Sequence, residues 1–347
     1  MYVGDFRDGS GLDHMVSEVL ADAVDEFLAG RCSRIEVTLE ADGAITIEDD
    51  GRGMRTDLVN GRPFPETALT TRHDAPTLDG HAPHEHVGLR GVGLLPVCAL
   101  STYLTLDVRR EGSHFRQRFE RGQAVSALDR IAATRRTGTR ITFLPDSEIF
   151  SLTSFDTGVI GRRLEELTYL LPGLEVTLQD HRQLHFHHPR GVAAWVDAQL
   201  RVDPNVTPSR TFEVQEQLED IRVEAAASWG NQWHHALESF ANINRTTAGG
   251  THDRGLLLGM VAGLRSAAPE ACRRKRTAKI EAALSSGLVA IVCVRLDDLE
   301  FGDPTRSRLA TPRVRDIVKK VVAKSFDVYL RQEPELLRRL AEAVTKV

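Results

Sequence analysis

The amino-acid sequence predicts an α+β protein built from two domains. The chain has 347 residues, which is enough for about two domains of ordinary size. An amphipathic helical pattern over residues 10–30 is followed at once by the alternating pattern of a β-hairpin. Strand-like and helix-like segments recur on both sides of a stretch with Pro204 and Pro208, which is the best candidate for a domain boundary. We therefore place the domains at residues 1–200 and 201–347.

The composition is that of a globular protein. With 44 basic and 49 acidic side chains the formal net charge is −5, and 41% of the residues are hydrophobic. These values argue against a disordered tail, a collagen-like repeat or a histone-like polycation. The longest apolar run, residues 287–294, is far shorter than the roughly 20 residues of a membrane helix, and no signal-peptide pattern is present. The four cysteines form no CxxC pair, which argues against a zinc knuckle. We expect a cytoplasmic protein without membrane contacts.

The first predicted element is a helix with one apolar and one acidic face. Between residues 10 and 30 apolar side chains recur at spacings of three and four, and Ser10 with Asp13 resembles a capping box. Four polar residues fall on the opposite face: His14, Glu18, Asp22 and Asp25. Considered alone, such a face is most often a solvated acidic surface.

A β-hairpin follows and ends in a carboxylate and a glycine-rich turn. Apolar and polar residues alternate over residues 35–39 and 45–47, around a turn at Gly43. The next residues are Asp49, Asp50, Gly51, Arg52, Gly53 and Met54. A carboxylate at a strand end can accept a hydrogen bond, and glycines allow a ligand to approach the backbone. By itself such a run is usually only a turn.

Two further glycine motifs lie later in the predicted first domain. Residues 59–93 show little periodicity and are expected to form a long loop. The loop ends in Gly88, Leu89, Arg90, Gly91, Val92 and Gly93, and an apolar helix follows over residues 94–100. Glycines before a helix present N–H groups and the positive end of the helix dipole to phosphate oxygens. The second motif, Thr137-Gly138-Thr139, precedes a strand at residues 140–143 and could be only a hairpin turn.

The remaining elements follow from the same patterns. In the first domain we expect strands at residues 103–109 and 114–119 and a helix at residues 158–171. In the second domain we expect strands within residues 212–228 and at 288–296, a turn at 248–250, a helix from about Asp253 and a basic helix at 312–330.

Taken in order, these motifs resemble those of a known family. An acidic helix, an Asp-Gly-Arg-Gly turn, a glycine-rich lid and a Thr-Gly-Thr strand are together similar to the ATPase region of the gyrase B protein and its topoisomerase IV counterpart, which belong to the GHKL ATPase superfamily. Residues 242–244 and 249–252 extend the resemblance into the second domain. The resemblance implies a Bergerat-fold α/β sandwich at residues 1–200, followed by a smaller transducer-like α/β domain, similar to ribosomal S5 domain 2, at 201–347.

The resemblance also implies roles for the matching residues, with ATP and Mg²⁺ as ligands. Glu18 would be the general base that activates water, and His14 would orient it. Asp49 would accept the adenine amino group. Gly53, Met54 and Thr139 would complete the adenine pocket, and Arg110 would lie at its mouth. The glycine-rich lid, residues 88–93, would cradle the phosphates.

Two positions depart from the family pattern. Asp22 stands where the family has a magnesium-binding asparagine, so Mg²⁺ would lie near a residue that adds negative charge beside the triphosphate. The family's Gln-Thr-Lys loop aligns with Pro304, Thr305 and Arg306, and Arg306 would keep a positive charge near the terminal phosphate. The chain has only six lysines, all after residue 270.

The function expected from these observations is ATP binding and hydrolysis by a gyrase B-like protein. The sequence lacks the family's N-terminal arm and its DNA-cleavage domain, so we expect no complete topoisomerase. Two alternatives remain: a non-hydrolysing nucleotide-binding regulator or decoy for gyrase, and a gyrase-like fold recruited for ATP-dependent small-molecule chemistry. The expected partners are ATP and a protein, either a gyrase-like subunit or a second copy held through the second domain. Sequence-specific nucleic-acid binding is not expected.

Overall fold

The computed structural model describes residues 4–71, 93–201, 210–230, 236–303 and 305–346. The chain divides into two compact units, Met1–Pro189 and Arg190–Val347. The boundary expected from the sequence lay between residues 200 and 201, and Pro204 and Pro208 fall outside the described residues. A helix at Val192–Arg201 belongs to the second unit because it contacts two strands of that unit's sheet.

The first unit contains four described helices and eleven described strands. The helices are α1 Ser10–Leu28, α2 Phe64–Thr70, α3 Leu94–Ala99 and α4 Thr157–Leu170. The strands are β1 Arg34–Leu39, β2 Ile45–Asp49, β3 Leu58–Val59, β4 Arg62–Pro63, β5 Ser101–Arg110, β6 Ser113–Glu120, β7 Gln123–Ala124, β8 Asp129–Ala133, β9 Gly138–Pro145, β10 Glu175–Gln179 and β11 Gln183–Phe186.

Nine of these strands form one sheet, in the order β11-β10-β1-β2-β9-β5-β6-β7, with β8 also paired to β6. Strand β1 runs parallel to β10, and the other pairs are antiparallel. Alternate residues such as Val37, Ile47 and Leu106 are fully or almost fully buried. Their face of the sheet is covered by α1, α3 and α4. The intervening residues put charged and polar side chains on the opposite face, because side chains alternate along a strand.

The second unit contains six described helices and five described strands. The helices are α5 Val192–Arg201, α6 Thr251–Ala267, α7 Pro269–Cys272, α8 Thr277–Ser285, α9 Pro312–Gln332 and α10 Pro334–Lys346. The strands are β12 Phe212–Leu218, β13 Ile221–Trp229, β14 Ala236–Ala241, β15 Asn244–Arg245 and β16 Leu288–Arg295. The sheet order is β12-β13-β16-β14-β15, and only the β14–β16 pair is parallel among these strands.

Helices α6 and α9 pack unusually closely in the second unit. Three glycines, Gly255, Gly259 and Gly263, recur at every fourth position of α6 and so share one face. A Cβ atom on Gly259 would lie 2.7 Å from Cβ of Val322 and 2.9 Å from the carbonyl oxygen of Lys319. The backbones can approach to this distance only because these positions lack side chains.

The prediction of an α+β fold is confirmed, and two local expectations are wrong. Residues 59–93 were expected to form a loop, but their described part contains α2. Pro65 lies in the first turn of α2, where the missing N–H costs little, and Leu69 is buried. The capping box at Ser10 is absent: Gly9 precedes α1, and the Ser10 hydroxyl accepts a hydrogen bond from the Asp5 amide at 2.9 Å. Among the described residues, no helix is long and apolar enough to cross a bilayer.

Candidate functional site

The first feature of the site is a histidine–carboxylate pair on α1. Nε2 of His14 lies 3.2 Å from Oε1 of Glu18, one helical turn later. The Glu18 side chain is only 4% exposed, whereas His14 is 29% exposed. The second oxygen, Oε2 of Glu18, is buried and has no hydrogen-bond partner within the described ranges. Because a buried polar atom without a partner is costly, this oxygen is suited to receive a proton or hydrogen bond from a bound molecule.

Gly93 faces this free carboxylate oxygen. A Cβ atom on Gly93 would lie 3.1 Å from Oε2 of Glu18, so a side chain there would crowd the carboxylate. Gly93 is the residue before α3 and the last residue of the expected lid. The other lid residues, Gly88, Leu89, Arg90, Gly91 and Val92, lie outside the described residues.

The acidic face continues along α1 toward the turn after β2. Asp22 is exposed and Asp25 is half-buried. The next residue, Glu26, was not singled out by the sequence, yet it forms an ion pair with Arg52 at 2.7 Å. Oε2 of Glu26 also accepts a hydrogen bond from the Arg52 amide at 2.9 Å. This pair fixes the Asp-Gly-Arg-Gly turn to α1. No signal in the sequence indicated the pair, because Glu26 is one of several acidic residues in the same helix.

Asp49 ends β2 and is buried. Its Oδ1 accepts a hydrogen bond from the Gly51 amide at 2.8 Å, and its Oδ2 accepts one from the Thr139 amide at 3.3 Å. Burial, which penalises the charged form, raises the pKa of Asp49 to about 7. The nearby charge of Glu26 raises the pKa further, and the two amide hydrogen bonds oppose this shift.

Two glycines allow the backbone around Asp49 to pack closely. Gly138 has a φ of +129°, and a Cβ atom there would lie 2.0 Å from the Asp49 carbonyl oxygen. Gly53 has a φ of +80°, and a Cβ atom there would lie 2.5 Å from the Arg109 carbonyl oxygen. Any other residue at either position would therefore be strained and would also clash with the backbone.

The remaining expected adenine-pocket residues join Asp49 in one site. The Met54 amide donates a hydrogen bond to Oγ1 of Thr139 at 3.0 Å. Nη1 of Arg110 donates one to the Gly53 carbonyl oxygen at 2.8 Å. The structure thus brings together residues from β2, the turn after it, β5 and β9. Glu26 links this group to α1, the helix that carries His14 and Glu18.

Arg306 belongs to the second unit. It lies in the left-handed region with a φ of +57°, and its guanidinium is centred 5.9 Å from the Phe301 ring. The carboxylate of Asp303 organises this loop by accepting hydrogen bonds from the Ser307 and Arg308 amides, both at 3.1 Å. A hydrogen bond from the Thr305 hydroxyl, together with these two amide hydrogen bonds, lowers the pKa of Asp303 to about 2. Pro304 lies outside the described residues.

The donor set fits a nucleotide with magnesium. A buried carboxylate oxygen that has no hydrogen-bond partner within the described segments faces a glycine, and two glycines keep the backbone beside Asp49 free of side chains. No three His, Cys, Asp or Glu residues come together as a metal site in the part of the chain that the structure describes. Mg²⁺ commonly uses one or two carboxylates together with phosphate oxygens, so such a cluster is not required.

Comparisons with known proteins match both units. Residues 7–149 match the family model described as histidine kinase-, DNA gyrase B- and HSP90-like ATPase. Residues 191–347 match the model described as DNA gyrase B. The chain is 33% identical over 355 aligned residues to the DNA gyrase B protein of Streptococcus pyogenes, covering 99% of this chain and 54% of that protein. It is 34% identical over 358 aligned residues to the DNA topoisomerase 4 B protein of Staphylococcus aureus, with 100% and 54% covered. The chain spans about half the length of these curated relatives.

Solved structures give the same result. The 43K ATPase domain of Thermus thermophilus gyrase B, in complex with an aminocoumarin, is similar with a TM-score of 0.85 and 30% identity. That match covers 100% of this chain and 91% of the other. The topoisomerase IV ATP-binding domain of Francisella tularensis has the same fold, with a TM-score of 0.82, 24% identity and coverage of 100% and 93%.

Proposed function

Since this chain belongs to the DNA gyrase B family of GHKL ATPases, we propose that it binds ATP with Mg²⁺ in its first unit and hydrolyses it. The observation that carries this proposal is the His14–Glu18 pair, in which one buried Glu18 oxygen has no hydrogen-bond partner among the residues that the structure describes. Such a carboxylate can accept a proton from a water molecule that attacks the terminal phosphate. The contact with His14 restrains the Glu18 side chain, so that the free oxygen keeps one direction.

The site around Asp49 supplies the proposed binding of adenine. The Asp49 carboxylate would accept the adenine amino group, with Gly53, Met54 and Thr139 beside it. Arg110, which is fixed to the Gly53 carbonyl, would lie at the mouth of the pocket. Gly88 to Gly93 would provide backbone N–H groups for the phosphates, a role that rests on the sequence motif.

The proposed magnesium ligand is Asp22, with Asp25 close to the nucleotide. Bound Mg²⁺ would neutralise phosphate charge and so favour transfer to water. We further propose that Arg306 stabilises charge on the terminal phosphate, on the basis of its place in the family's loop. A cytoplasmic location remains a prediction.

Phosphate release tests this function. We expect the purified protein with Mg²⁺ and ATP to release phosphate, and Glu18→Ala to lose about 10²- to 10⁴-fold in kcat. Glu18→Gln keeps the shape but cannot accept a proton, so it should be equally inactive and still bind ATP in calorimetry. Glu36→Gln, which removes a partly exposed carboxylate from the opposite sheet face, is the matched control and should keep the wild-type rate. Equal, background-level rates for wild type and Glu18→Ala would reject hydrolysis.

Two outcomes would favour the alternatives. Tight ATP binding without turnover by the wild-type protein would favour a non-hydrolysing regulator or a decoy for gyrase. A product other than ADP and phosphate, detected by mass spectrometry with candidate substrates, would favour small-molecule chemistry. The named relatives are subunits of DNA gyrase and DNA topoisomerase 4, so we propose that this chain also acts with a protein partner. Light scattering with and without nucleotide would detect a second copy as that partner.

A further inference from the structure

The strands that line the proposed adenine pocket also carry charged residues on the reverse face of the sheet. Three pairs of consecutive residues show this arrangement: Glu48 and Asp49 on β2, Arg109 and Arg110 on β5, and Thr139 and Arg140 on β9. One member of each pair belongs to the pocket. Because side chains alternate along a strand, the other member points to the opposite face.

On that reverse face three arginines surround one glutamate. Oε1 of Glu48 lies 2.6 Å from Nη1 of Arg109 and 3.0 Å from Nη2 of Arg136. Oε2 of Glu48 lies 3.5 Å from Nε of Arg140. We refer to Glu48, Arg109, Arg136 and Arg140 as the reverse-face cluster. The Glu48 and Arg109 side chains are each only 12% exposed, so their contact is the least screened by solvent.

The pairing between β2 and β9 stops just before the pocket. The paired residues of β2 and β9 run from Ile45 opposite Phe143 to Glu48 opposite Arg140. The next residues, Asp49 and Thr139, are joined instead through the Asp49 side chain, which accepts the Thr139 amide at a long 3.3 Å. Asp49 remains paired with Ile35 of β1, and Thr139 remains paired with Val108 of β5, so only the alignment of Asp49 with Thr139 depends on contacts other than ladder hydrogen bonds.

We infer that Glu48 is a positioning residue for the adenine pocket. Its carboxylate links β2 to β5 through the Arg109 hydrogen bond and to β9 through a longer ion pair with Arg140, at the point where the pairing of β2 with β9 ends. These contacts hold the strand ends so that Asp49 and Thr139 face the base from fixed positions. Arg136 adds a third contact from the loop that leads into Gly138, whose backbone packs on Asp49.

Loss of the Glu48 charge would disturb this arrangement through the arginines. The three guanidinium groups converge on one carboxylate, and without its charge they repel one another. The end of β2 would shift relative to β9, and the Asp49 carboxylate would move relative to the Thr139 amide. Glu18 and His14 lie on α1 rather than on these strands, so the chemistry of water activation would be spared.

The test compares two nucleotides that differ at the group facing Asp49. This inference rests on the proposed function, because it assumes that Asp49 accepts the adenine amino group. IDP carries a carbonyl oxygen where ADP carries that amino group, so it cannot donate the hydrogen bond. Calorimetry with Mg²⁺ should therefore show tighter binding of ADP than of IDP by the wild-type protein.

In Glu48→Gln we expect ADP affinity to fall about three- to tenfold, the equivalent of one hydrogen bond, with IDP affinity nearly unchanged. The ratio of ADP affinity to IDP affinity therefore falls, while kcat for ATP at saturation stays within about twofold of wild type. The matched control is Asp146→Asn. It removes a buried carboxylate that pairs with Arg121 just beyond the other end of β9, away from the reverse-face cluster. The control should keep the wild-type ratio.

The outcomes separate this inference from the proposed function. An unchanged ADP-to-IDP ratio in Glu48→Gln, with the wild-type preference present, would overturn the positioning role alone. Failure of the wild-type protein to bind ADP would overturn the proposed function and the positioning role with it. If Glu48→Gln does not fold, Arg136→Gln serves instead, because Arg136 is 65% exposed and its loss is mild. In Arg136→Gln the ratio of ADP affinity to IDP affinity should fall by a smaller factor than in Glu48→Gln. An unchanged ratio in Arg136→Gln would also reject the role of the reverse-face cluster.

Discussion

His14 and Glu18 are in contact at 3.2 Å across one turn of α1, and the Glu18 oxygen that contacts His14 is not the one that lacks a hydrogen-bond partner in the described part of the chain. The two carboxylate oxygens thus have different tasks. One is held by the imidazole and the other is available to a ligand or water. This division predicts that loss of His14 affects the rate of hydrolysis more than it affects nucleotide binding.

We expect His14→Ala to lower kcat about tenfold or more while KM for ATP changes little, because a misplaced base loses transition-state interactions. Steady-state phosphate release gives both constants. Ser17→Ala is the control, since the Ser17 hydroxyl donates a hydrogen bond to the Asp13 carbonyl within the same helix. A rise in KM with an unchanged kcat would assign His14 to binding instead.

The second prediction concerns the charge of Asp22. Without Mg²⁺ this carboxylate repels the phosphates, so Asp22→Asn should bind ADP about threefold more tightly than wild type in EDTA. Saturating Mg²⁺ should reduce this difference in ADP affinity between the variant and wild type, because the cation neutralises the repulsion. Calorimetry at several Mg²⁺ concentrations measures this dependence, with Glu36→Gln as the charge-matched control. Equal Mg²⁺ dependence in wild type and Asp22→Asn would contradict a role for Asp22 near the phosphates.

The third prediction follows from the raised pKa of Asp49, about 7 compared with its ordinary value of 3.8. The folded protein binds this proton more tightly than the unfolded chain does. The stability contribution of Asp49 is therefore fully present below pH 3.8 and is lost as the pH rises through 7. Over that range the ligand-free wild type should lose stability relative to Asp49→Asn, by on the order of a few kcal/mol.

Thermal unfolding of both proteins between about pH 4 and pH 8 measures the difference in stability. The test uses the slope of this stability difference with pH. Loss of the carboxylate hydrogen bonds in Asp49→Asn adds a constant to the difference and does not change the slope. A difference that stays flat across this range would show that Asp49 keeps an ordinary pKa in the folded protein.

The fourth prediction concerns the packing of α6 on α9. Gly259→Ala places a methyl group 2.7 Å from Cβ of Val322 and 2.9 Å from a backbone oxygen, so the helices must separate. We expect a loss of about 1–3 kcal/mol in the free energy of unfolding, measured by thermal or chemical denaturation.

Gly161→Ala on α4 is the matched control for Gly259→Ala. The nearest atom to its new methyl group is a Leu178 methyl at 3.6 Å, an ordinary contact. Alanine has the higher helix propensity, so this variant should be neutral or slightly stabilising. Equal effects at the two glycines would show that the close contact with α9 does not determine the change in stability at Gly259.

The fifth prediction tests Arg306. If its charge stabilises the terminal phosphate during transfer, Arg306→Ala should lower kcat about tenfold or more, and Arg306→Lys should recover part of the loss. Arg308→Ala, which removes an exposed arginine from the same loop, should keep the wild-type rate. Identical rates for Arg306→Ala and wild type would exclude a contribution from Arg306 to turnover.

The sequence by itself determined the local elements and the order of the motifs. The period of three to four defined α1 and its acidic face, and the alternation around Gly43 defined β1 and β2, because each of these patterns reflects the geometry of a single element. The resemblance of the motif order to the gyrase B family is confirmed by both family models and by the solved ATPase domain. The short α2 was missed because it has too few residues to show a period.

Only the tertiary structure decided which distant residues meet. Strand β9 inserts between β2 and β5, and this places the Thr139 amide on Asp49 and the Arg109 side chain on Glu48. Neither contact leaves a trace in local periodicity, because each depends on strand pairing across about 60 to 90 intervening residues. The ion pair of Glu26 with Arg52 likewise leaves no trace in local periodicity. The sequence indicated Asp49 as the carboxylate of the proposed pocket, and the order of the strands decided which residues hold it in place.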